Sequence, residues 1–271
     1  MRLILAAATV AATAGPAAAT ITYDTNVTPN VQLLYGTGNA NEAFTADRAN
    51  GIEVGLRGKL RYGPSGTPLA VYNSDGNGLY EFDPSDGVAP SNRSLFSFDW
   101  SVNVDYDGST AKFLDDFSYL LEIDFDPSAA VGTVEGVDLV SFDPISVGTP
   151  SAWDHGLGTN ASTSPTVSKQ YVATDFGGGL GLTYAQAVEA RSVAQNSWNL
   201  GFFNPSGFIP QTEGLYTITL SVFGDGVTPL ASSSIDIRYG DVPQPVPVPA
   251  ALPLMGAGLA ALAFLARRRR A

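Results

Sequence analysis

The feature that most constrains the fold is an unbroken alternation of apolar and polar side chains over residues 96–107. The apolar positions are Phe96, Phe98, Trp100, Val102, Val104 and Tyr106, and the polar ones are Ser97, Asp99, Ser101, Asn103, Asp105 and Asp107. Successive side chains of a β-strand point to opposite faces of the sheet, so this period of two predicts one buried face and one solvated face. We therefore expect a half-buried antiparallel strand that turns at Asp107-Gly108.

The same period of two recurs along the rest of the chain. It is clear at residues 119–126, 216–222 and 235–239. Further strands are expected at residues 21–27, 52–62, 69–72, 137–142 and 198–203. Many short strands separated by Gly, Pro, Asp and Asn are typical of two packed antiparallel sheets. The predicted fold class is therefore all-β, an antiparallel two-sheet sandwich of jelly-roll-like type.

Two segments depart from the strand pattern. Thr183 fits the N-cap of a short helix, and the alanine-rich residues 184–194 fit the helix itself, although residues 193–200 also fit a strand. Residues 156–166 are rich in Gly, Ser, Thr and Asn, which predicts a long exposed loop.

The N-terminus has the pattern of an export signal. Arg2 is followed by an apolar stretch over residues 3–10, and Ala17-Ala18-Ala19 offers a small-residue cleavage site before Thr20. This order is typical of a Sec-type signal peptide, so residues 1–19 are excluded from the folded body.

The C-terminus combines three different segments. A proline-rich spacer at residues 242–249 precedes an uncharged apolar run at 250–266, and the basic tail at 267–271 begins with Arg267, Arg268, Arg269 and Arg270. An apolar run of this length is at the short end of the ~17–25 residues that span a bilayer as a helix. Because cationic flanks stay in the cytoplasm, the body of the protein is expected to lie outside it.

The order of these segments carries a family resemblance. Val246, Pro247, Val248, Pro249 and Ala250, followed by the apolar run and the four arginines, resemble the sorting signal of the PEP-CTERM class, in its VPLPA-CTERM branch, with Val248 in place of leucine. The resemblance covers residues 246–270 and the signal peptide that usually accompanies such a tail. It implies export through the Sec translocon, an inner-membrane stage, and cleavage near the motif by exosortase, an integral-membrane cysteine enzyme. The protein would then pass to the cell surface or the extracellular matrix.

The region between the two ends, residues 20–241, is expected to form one exported domain. Five of the 14 basic residues lie in the terminal segments, which leaves nine against 26 acidic residues, a net charge of −17. Such a surface repels nucleic acid and attracts cations. The absence of cysteine and the single histidine, His155, exclude disulfides, thiol nucleophiles and multi-histidine metal sites.

Two acidic segments contain candidate calcium ligands. Asn73, Asp75 and Asn77 stand at alternate positions before Gly78, as oxygen ligands do at the start of a calcium loop. An EF-hand needs a glutamate at the twelfth position, where this chain has Pro84. Asp105 and Asp107 are expected to share a strand face, where both could approach one cation. The alternative in both segments is an ordinary turn or a solvated face built from the same residue types.

The remaining candidates are weaker. Glu122, Asp124 and Asp126 form a stripe that is expected to be solvated. Trp100 is expected in the core, and the position of Trp198 is left open with the core favoured. Trp153 lies in a loop and is a candidate for stacking on sugar rings. Since no strong catalytic constellation is present, we predict a non-enzymatic surface or extracellular-matrix protein. The alternative is a calcium-dependent carbohydrate-binding module of the exopolysaccharide matrix.

Overall fold

The structure is a computed structural model, and it describes residues 20–30, 33, 39–128, 130–146, 155–162, 170–171, 183–203 and 205–242. These residues form twelve strands, one α-helix and three short 3₁₀-helices. The strands are β1 (Thr20–Thr25), β2 (Phe44–Ala49), β3 (Ile52–Leu60), β4 (Leu79–Phe82), β5 (Phe96–Asn103), β6 (Ser118–Asp124), β7 (Leu139–Phe142), β8 (His155–Gly158), β9 (Gln170–Tyr171), β10 (Val193–Asn199), β11 (Gly214–Phe223) and β12 (Ala231–Tyr239). The helix α1 is Tyr184–Val188, and the 3₁₀-helices are Pro84–Asp86, Leu114–Asp116 and Leu200–Phe202.

The strands belong to two sheets. The seven-stranded sheet has the order β1-β2-β3-β5-β10-β8-β9, and the five-stranded sheet has the order β4-β12-β11-β6-β7. All pairs are antiparallel except β4 with β12, which is parallel. The predicted all-β architecture of two sheets is therefore confirmed, with one parallel pair that the sequence did not predict.

The inner faces of the two sheets share one hydrophobic core. Phe96 of the seven-stranded sheet has its ring 5.9 Å from that of Phe82, 5.8 Å from that of Tyr216 and 5.6 Å from that of Tyr239, all three on the five-stranded sheet. Trp100 is buried as the sequence predicted, and Trp198 is buried beside it, with ring centroids 5.3 Å apart. Aromatic side chains that bury about 150–250 Å² each dominate the energetics of such a core.

Several predicted elements have different bounds. The helix begins as expected, with Thr183 accepting from the Gln186 N–H as N-cap, but it ends at Val188. The strand alternative for residues 193–200 is correct, since β10 occupies most of it. The strand expected at residues 69–72 does not form, and residues 198–203 end β10 and enter a 3₁₀-helix. The expected loop at 156–166 begins inside β8, which pairs with β10.

The central strands of the seven-stranded sheet are buried on both faces. Every residue of β3 and of β5 is buried, so the half-buried strand predicted from the alternation is wrong. The face turned away from the core is polar, and residues 26–30, 33 and 39–43 lie across it. We call these residues the strap. Because the strap excludes water from a polar face, the polar groups beneath it must find partners within the protein.

Candidate functional site

The first calcium candidate is a closed turn that leads into β4. The Oδ1 atom of Asp75 accepts the N–H of Asn77 at 2.7 Å and that of Leu79 at 3.1 Å. The side-chain amide of Asn73 donates to the carbonyl of Glu81 at 3.0 Å, and Asn77 donates to the carbonyl of Asp75. Asn73 and Gly76 have positive φ values of 47° and 79°. These contacts are those of a turn held by its own side chains.

The second calcium candidate does not lie on a strand. β5 ends at Asn103, so the prediction that Asp105 and Asp107 share a strand face is wrong. The Oδ1 atom of Asp105 accepts from the N–H and the hydroxyl of Thr110, both at 2.9 Å, and from the N–H of Ala111 at 3.0 Å. Asp107 accepts the N–H of Ser109 at 2.9 Å, and hydrogen bonds from Ser109 hold the pKa of Asp107 below its usual value.

The two acidic segments also remain separate. Among the residues that the structure describes, no hydrogen bond or ion pair joins the turn at Asp75 to the turn at Asp105. Nor does the described part of the chain hold a group of three or more His, Cys, Asp or Glu side chains placed to hold a metal ion. Calcium binding by these residues therefore stays a prediction.

The acidic stripe on β6 is not solvated throughout. Asp124 is buried, and its Oδ1 atom accepts the N–H of Asp126 at 2.9 Å and that of Gly132 at 2.8 Å. Burial raises the pKa of Asp124 despite these two donors. Asp124 thus stabilises the loop between β6 and β7, which corrects the expectation of a solvated stripe.

Other predicted residues lie outside the described part of the chain. These are the signal peptide, Trp153, the sorting motif at 246–250 and the basic tail at 267–270. The backbone of His155 begins β8, where it pairs with Tyr171. In the described ranges no helix is long and apolar enough to cross a membrane, and the helix predicted at 250–266 is not among them.

An open acidic cleft lies where the described chain ends. It has a volume of about 640 Å³ and is lined by Asn73, Glu81, Phe82, Asp83, Asp86, Arg238, Gly240, Asp241 and Val242. Arg238 forms an ion pair with Glu81 across the parallel strands β12 and β4. Sequence reasoning missed this cleft because its walls come from three separate segments, two of which are brought together by the parallel pairing of β4 with β12.

The most unusual chemistry in the described structure lies under the strap. In the register of β3 with β5, Arg57 is opposite Asp99 and Lys59 is opposite Ser97. The Nη2 atom of Arg57 lies 2.7 Å from Oδ2 of Asp99, and the Nζ atom of Lys59 lies 3.0 Å from Oδ1. Asp99 and Arg57 have no exposed surface and Lys59 is 2% exposed, so the three form a buried ionic cluster.

The strap binds this cluster directly. Arg57 donates to the carbonyls of Ala40 and Glu42, and Lys59 Nζ contacts the side-chain Oδ1 of Asn39. The guanidinium of Arg57 is held between the rings of Phe44 and Tyr72, with its carbon 4.3 Å from each ring centroid. Such stacking fixes a planar cation while it keeps its hydrogen bonds.

Charge and burial oppose each other in this cluster. Burial alone would raise the pKa of Asp99, but the cations of Lys59 and Arg57 hold that pKa below its usual value. Burial lowers the pKa of Lys59, and the Asp99 charge opposes the change only in part. The sequence signal for the cluster was the charged residues on β3, but their partner across the sheet depends on a register that one sequence does not reveal.

Comparison with known proteins gives no relative. No protein-family model matches the chain, and neither a curated protein nor a solved structure matches it.

Proposed function

We propose that this chain is an exported β-sandwich protein that is sorted through its C-terminal tail to the cell surface or the extracellular matrix, where it has a structural or interaction role without catalysis. The observation that carries the proposal is the tail itself: Val246-Pro247-Val248-Pro249-Ala250, then the apolar run, then four arginines. The proposed partners are the Sec translocon, an exosortase and the exopolysaccharide of the matrix.

The position of the sandwich along the chain supports this proposal. β1 begins at Thr20, directly after the proposed signal-peptide cleavage site, and β12 ends at Tyr239, before the sorting motif begins. β12 is an interior strand of its sheet, paired with β11 on one side and β4 on the other. Removal of the motif and of everything after it should therefore leave every described strand and its partners in place.

The bonding of the acidic residues that the sequence analysis proposed as ligands supports a role without catalysis. Asp75, Asp105 and Asp107 each accept backbone N–H groups of their own turns. The ionic cluster of Arg57, Lys59 and Asp99 is buried under the strap. An enzyme that acts on a polysaccharide needs carboxylates that a substrate can reach at a defined separation.

The test is the location and the mass of the full chain and of a chain that lacks residues 246–271, both expressed in a bacterium that carries an exosortase. We expect the full chain in the envelope or matrix, with the signal peptide and the segment after the motif removed. The truncated chain should fold equally well, as measured by circular dichroism, and should be lost from that location. An unchanged location for the truncated chain, or a full chain that retains residues 250–271, contradicts the proposal.

A matched pair of variants separates the motif from the spacer. Replacement of Pro247 and Pro249 by alanine changes the motif, whereas replacement of Pro243 and Pro245 changes the same number of prolines just before it. We expect accumulation of uncleaved protein in the membrane for the first variant and normal processing for the second. Equal processing of both variants would mean that the motif is not what the sorting enzyme recognises.

A further inference from the structure

The side chain of Lys59 contacts both Asn39 and Asp99 at the strap. This arrangement is suited to a covalent reaction as well as to an ion pair. The amine Nζ of Lys59 contacts the carboxamide of Asn39. The same Nζ lies 3.0 Å from Oδ1 of Asp99 and 3.1 Å from the hydroxyl of Ser197. The amine therefore contacts both a carboxamide and a carboxylate, and the carboxylate can accept a proton from it.

The surroundings of the three residues increase the fraction of the lysine that is in the neutral, nucleophilic form. Lys59 is 2% exposed and Asp99 is fully buried, while Asn39, on the strap, is half-buried. Burial lowers the pKa of Lys59, which increases the fraction of free amine. A lysine becomes a nucleophile when desolvation depresses its pKa in this way.

Arg57 determines which oxygen of Asp99 faces the lysine. The Nε atom of Arg57 donates to Oδ2 of Asp99 at 2.8 Å, and Nη2 lies 2.7 Å from the same oxygen. Oδ1 is therefore turned toward Nζ of Lys59. Because Arg57 is itself fixed between two aromatic rings, the carboxylate cannot easily rotate away.

From this geometry we propose that the protein joins Lys59 to Asn39 by an intramolecular isopeptide bond. The Nζ–Cγ bond forms and the Cγ–Nδ2 bond of Asn39 breaks. Asp99 accepts protons from Nζ and delivers them to the departing Nδ2, and it ends in its original state. The reactants are the lysine ammonium and the neutral carboxamide, and the products are one secondary amide and one ammonium ion. Atoms and charge therefore balance without any other reactant.

Asn39 rather than Asp99 is the acyl donor. Asp99 is held as a carboxylate by two cations, and a carboxylate is a poor electrophile because its carbon carries no leaving group. The carboxamide of Asn39 is uncharged and releases ammonia. The bond would fasten the strap to the centre of the seven-stranded sheet in a chain that has no cysteine and hence no disulfide.

The decisive measurement is peptide mapping of the purified full-length protein by mass spectrometry after trypsin digestion. Trypsin does not cleave after an acylated lysine, so the peptide that contains Asn39 and ends at Arg48 should be found joined to residues 58–61. Its mass should be the sum of the two peptides less one ammonia, about 17 Da. The peptide that contains Asn39 begins at residue 3 or at the mature N-terminus, because no lysine or arginine lies between Arg2 and Arg48. The loss of ammonia on joining is the same in either case, so the result of this map and that of the sorting experiment can be interpreted separately.

Two other results overturn the proposal. Cleavage after Lys59 together with an intact Asn39 peptide would show that the residues form only a hydrogen bond. A joined peptide in which Lys59 is linked to the peptide containing Asp99, with loss of one water of about 18 Da, would show that the acyl donor is wrong.

Variants test the assigned roles. Asn39→Ala removes the acyl carbon and should restore complete cleavage after Lys59. Asn41→Ala is its matched control, because Asn41 also lies in the strap but bonds to Val27 and Pro29 instead of a lysine, and it should retain the joined peptide. Asp99→Asn removes the proton acceptor, so trypsin should again cleave after Lys59 in this variant. Circular dichroism should show that the variant is folded. If Asp99→Asn gives as much joined peptide as the wild type, the role of Asp99 is wrong; whether the bond exists is answered by the wild-type map, even if a variant does not fold.

Discussion

Arg57 and Asp99 face each other across β3 and β5, with Nη2 of the arginine 2.7 Å from Oδ2 of the aspartate and neither side chain exposed. Two charges that leave water lose solvation that their mutual attraction repays only when the geometry is good and the remaining donors are bonded. Here the strap supplies the carbonyls of Ala40 and Glu42 to the other side of the guanidinium. The strap and the ionic cluster therefore depend on each other.

Removal of Arg57 should be strongly destabilising. Arg57→Met leaves Asp99 buried with one cation fewer and frees two strap carbonyls, so we expect the free energy of unfolding to fall by about 3–5 kcal/mol. Urea unfolding followed by tryptophan fluorescence measures it. Lys112→Ala is the control, since Lys112 pairs with Asp116 at 3.2 Å on the surface, and exposed pairs contribute about 0.5 kcal/mol or less. Similar losses of unfolding free energy for both variants would show that the buried pair contributes no more stability than an exposed pair.

Glu53 should make stability depend on pH in a direction opposite to that of an ordinary surface carboxylate. Its Oε1 accepts the N–H of Thr28 and its Oε2 pairs with Nε of Arg48, both at 2.6 Å. Burial nevertheless raises the pKa of Glu53 above its ordinary value of 4.5. The folded state thus binds this proton more tightly than the unfolded state, and the resulting stability is present below pH 4.5 and is lost as the pH rises through the folded pKa.

The Glu53→Gln variant isolates this contribution. Glutamine can still accept the Thr28 N–H but does not titrate, so the stability of the wild type relative to the variant should fall as the pH rises. The fall should amount to about 1.4 kcal/mol for each unit by which the pKa is raised. Unfolding in urea at a series of pH values measures it. An advantage of the wild type that grows with pH would mean that the pairing with Arg48 outweighs burial.

Gly156 allows the strap to approach β8. A Cβ atom at this position would lie 2.2 Å from the carbonyl oxygen of Leu33 in the strap, a backbone atom that cannot move aside as a flexible side chain can. We expect Gly156→Ala to displace the strap and to lower stability by about 1–3 kcal/mol. Amide hydrogen exchange should show the loss of protection first at the strap residues 26–30, 33 and 39–43. Gly226→Ala is the control, because its nearest atom is 4.0 Å away, and it should change stability by about 0.5 kcal/mol or less.

The sequence predicted the strands well where side-chain alternation alone determines them. β5, β6, β11 and β12 all lie on segments with a period of two, since the core requires one apolar side on each of them. The strands β2, β4, β8 and β9 were missed. β2 reads as Phe-Thr-Ala-Asp-Arg-Ala, and its position depends on partners on both sides rather than on its own composition.

The candidate site could not be predicted because it depends on contacts between distant parts of the chain. Asp99 was correctly placed on the polar face of its strand, but the strap makes that face interior. The residues that meet there come from positions 39, 57, 59 and 99, and the hydrogen bonds of the strap extend to Gln195, which accepts the Leu33 N–H at 3.0 Å. The pairing of β3 with β5 and the position of the strap both depend on contacts between residues far apart in the sequence, and local strand propensity does not predict such contacts.

The turn at Asp75 tests the calcium prediction. Since its Oδ1 atom already accepts the N–H groups of Asn77 and Leu79, Asp75→Ala should lower stability by about 1 kcal/mol through the loss of these bonds, whether calcium is present or not. The midpoint of thermal unfolding of wild type and variant, each in calcium chloride and in EDTA, measures both effects. Asp126→Ala is a suitable control, because Asp126 accepts the Ser128 N–H at 2.9 Å in the turn after β6, away from this loop. If calcium stabilises the wild type and the control but not Asp75→Ala, the loop is a cation site, and calcium-dependent glycan binding becomes the better account of what the exported domain does.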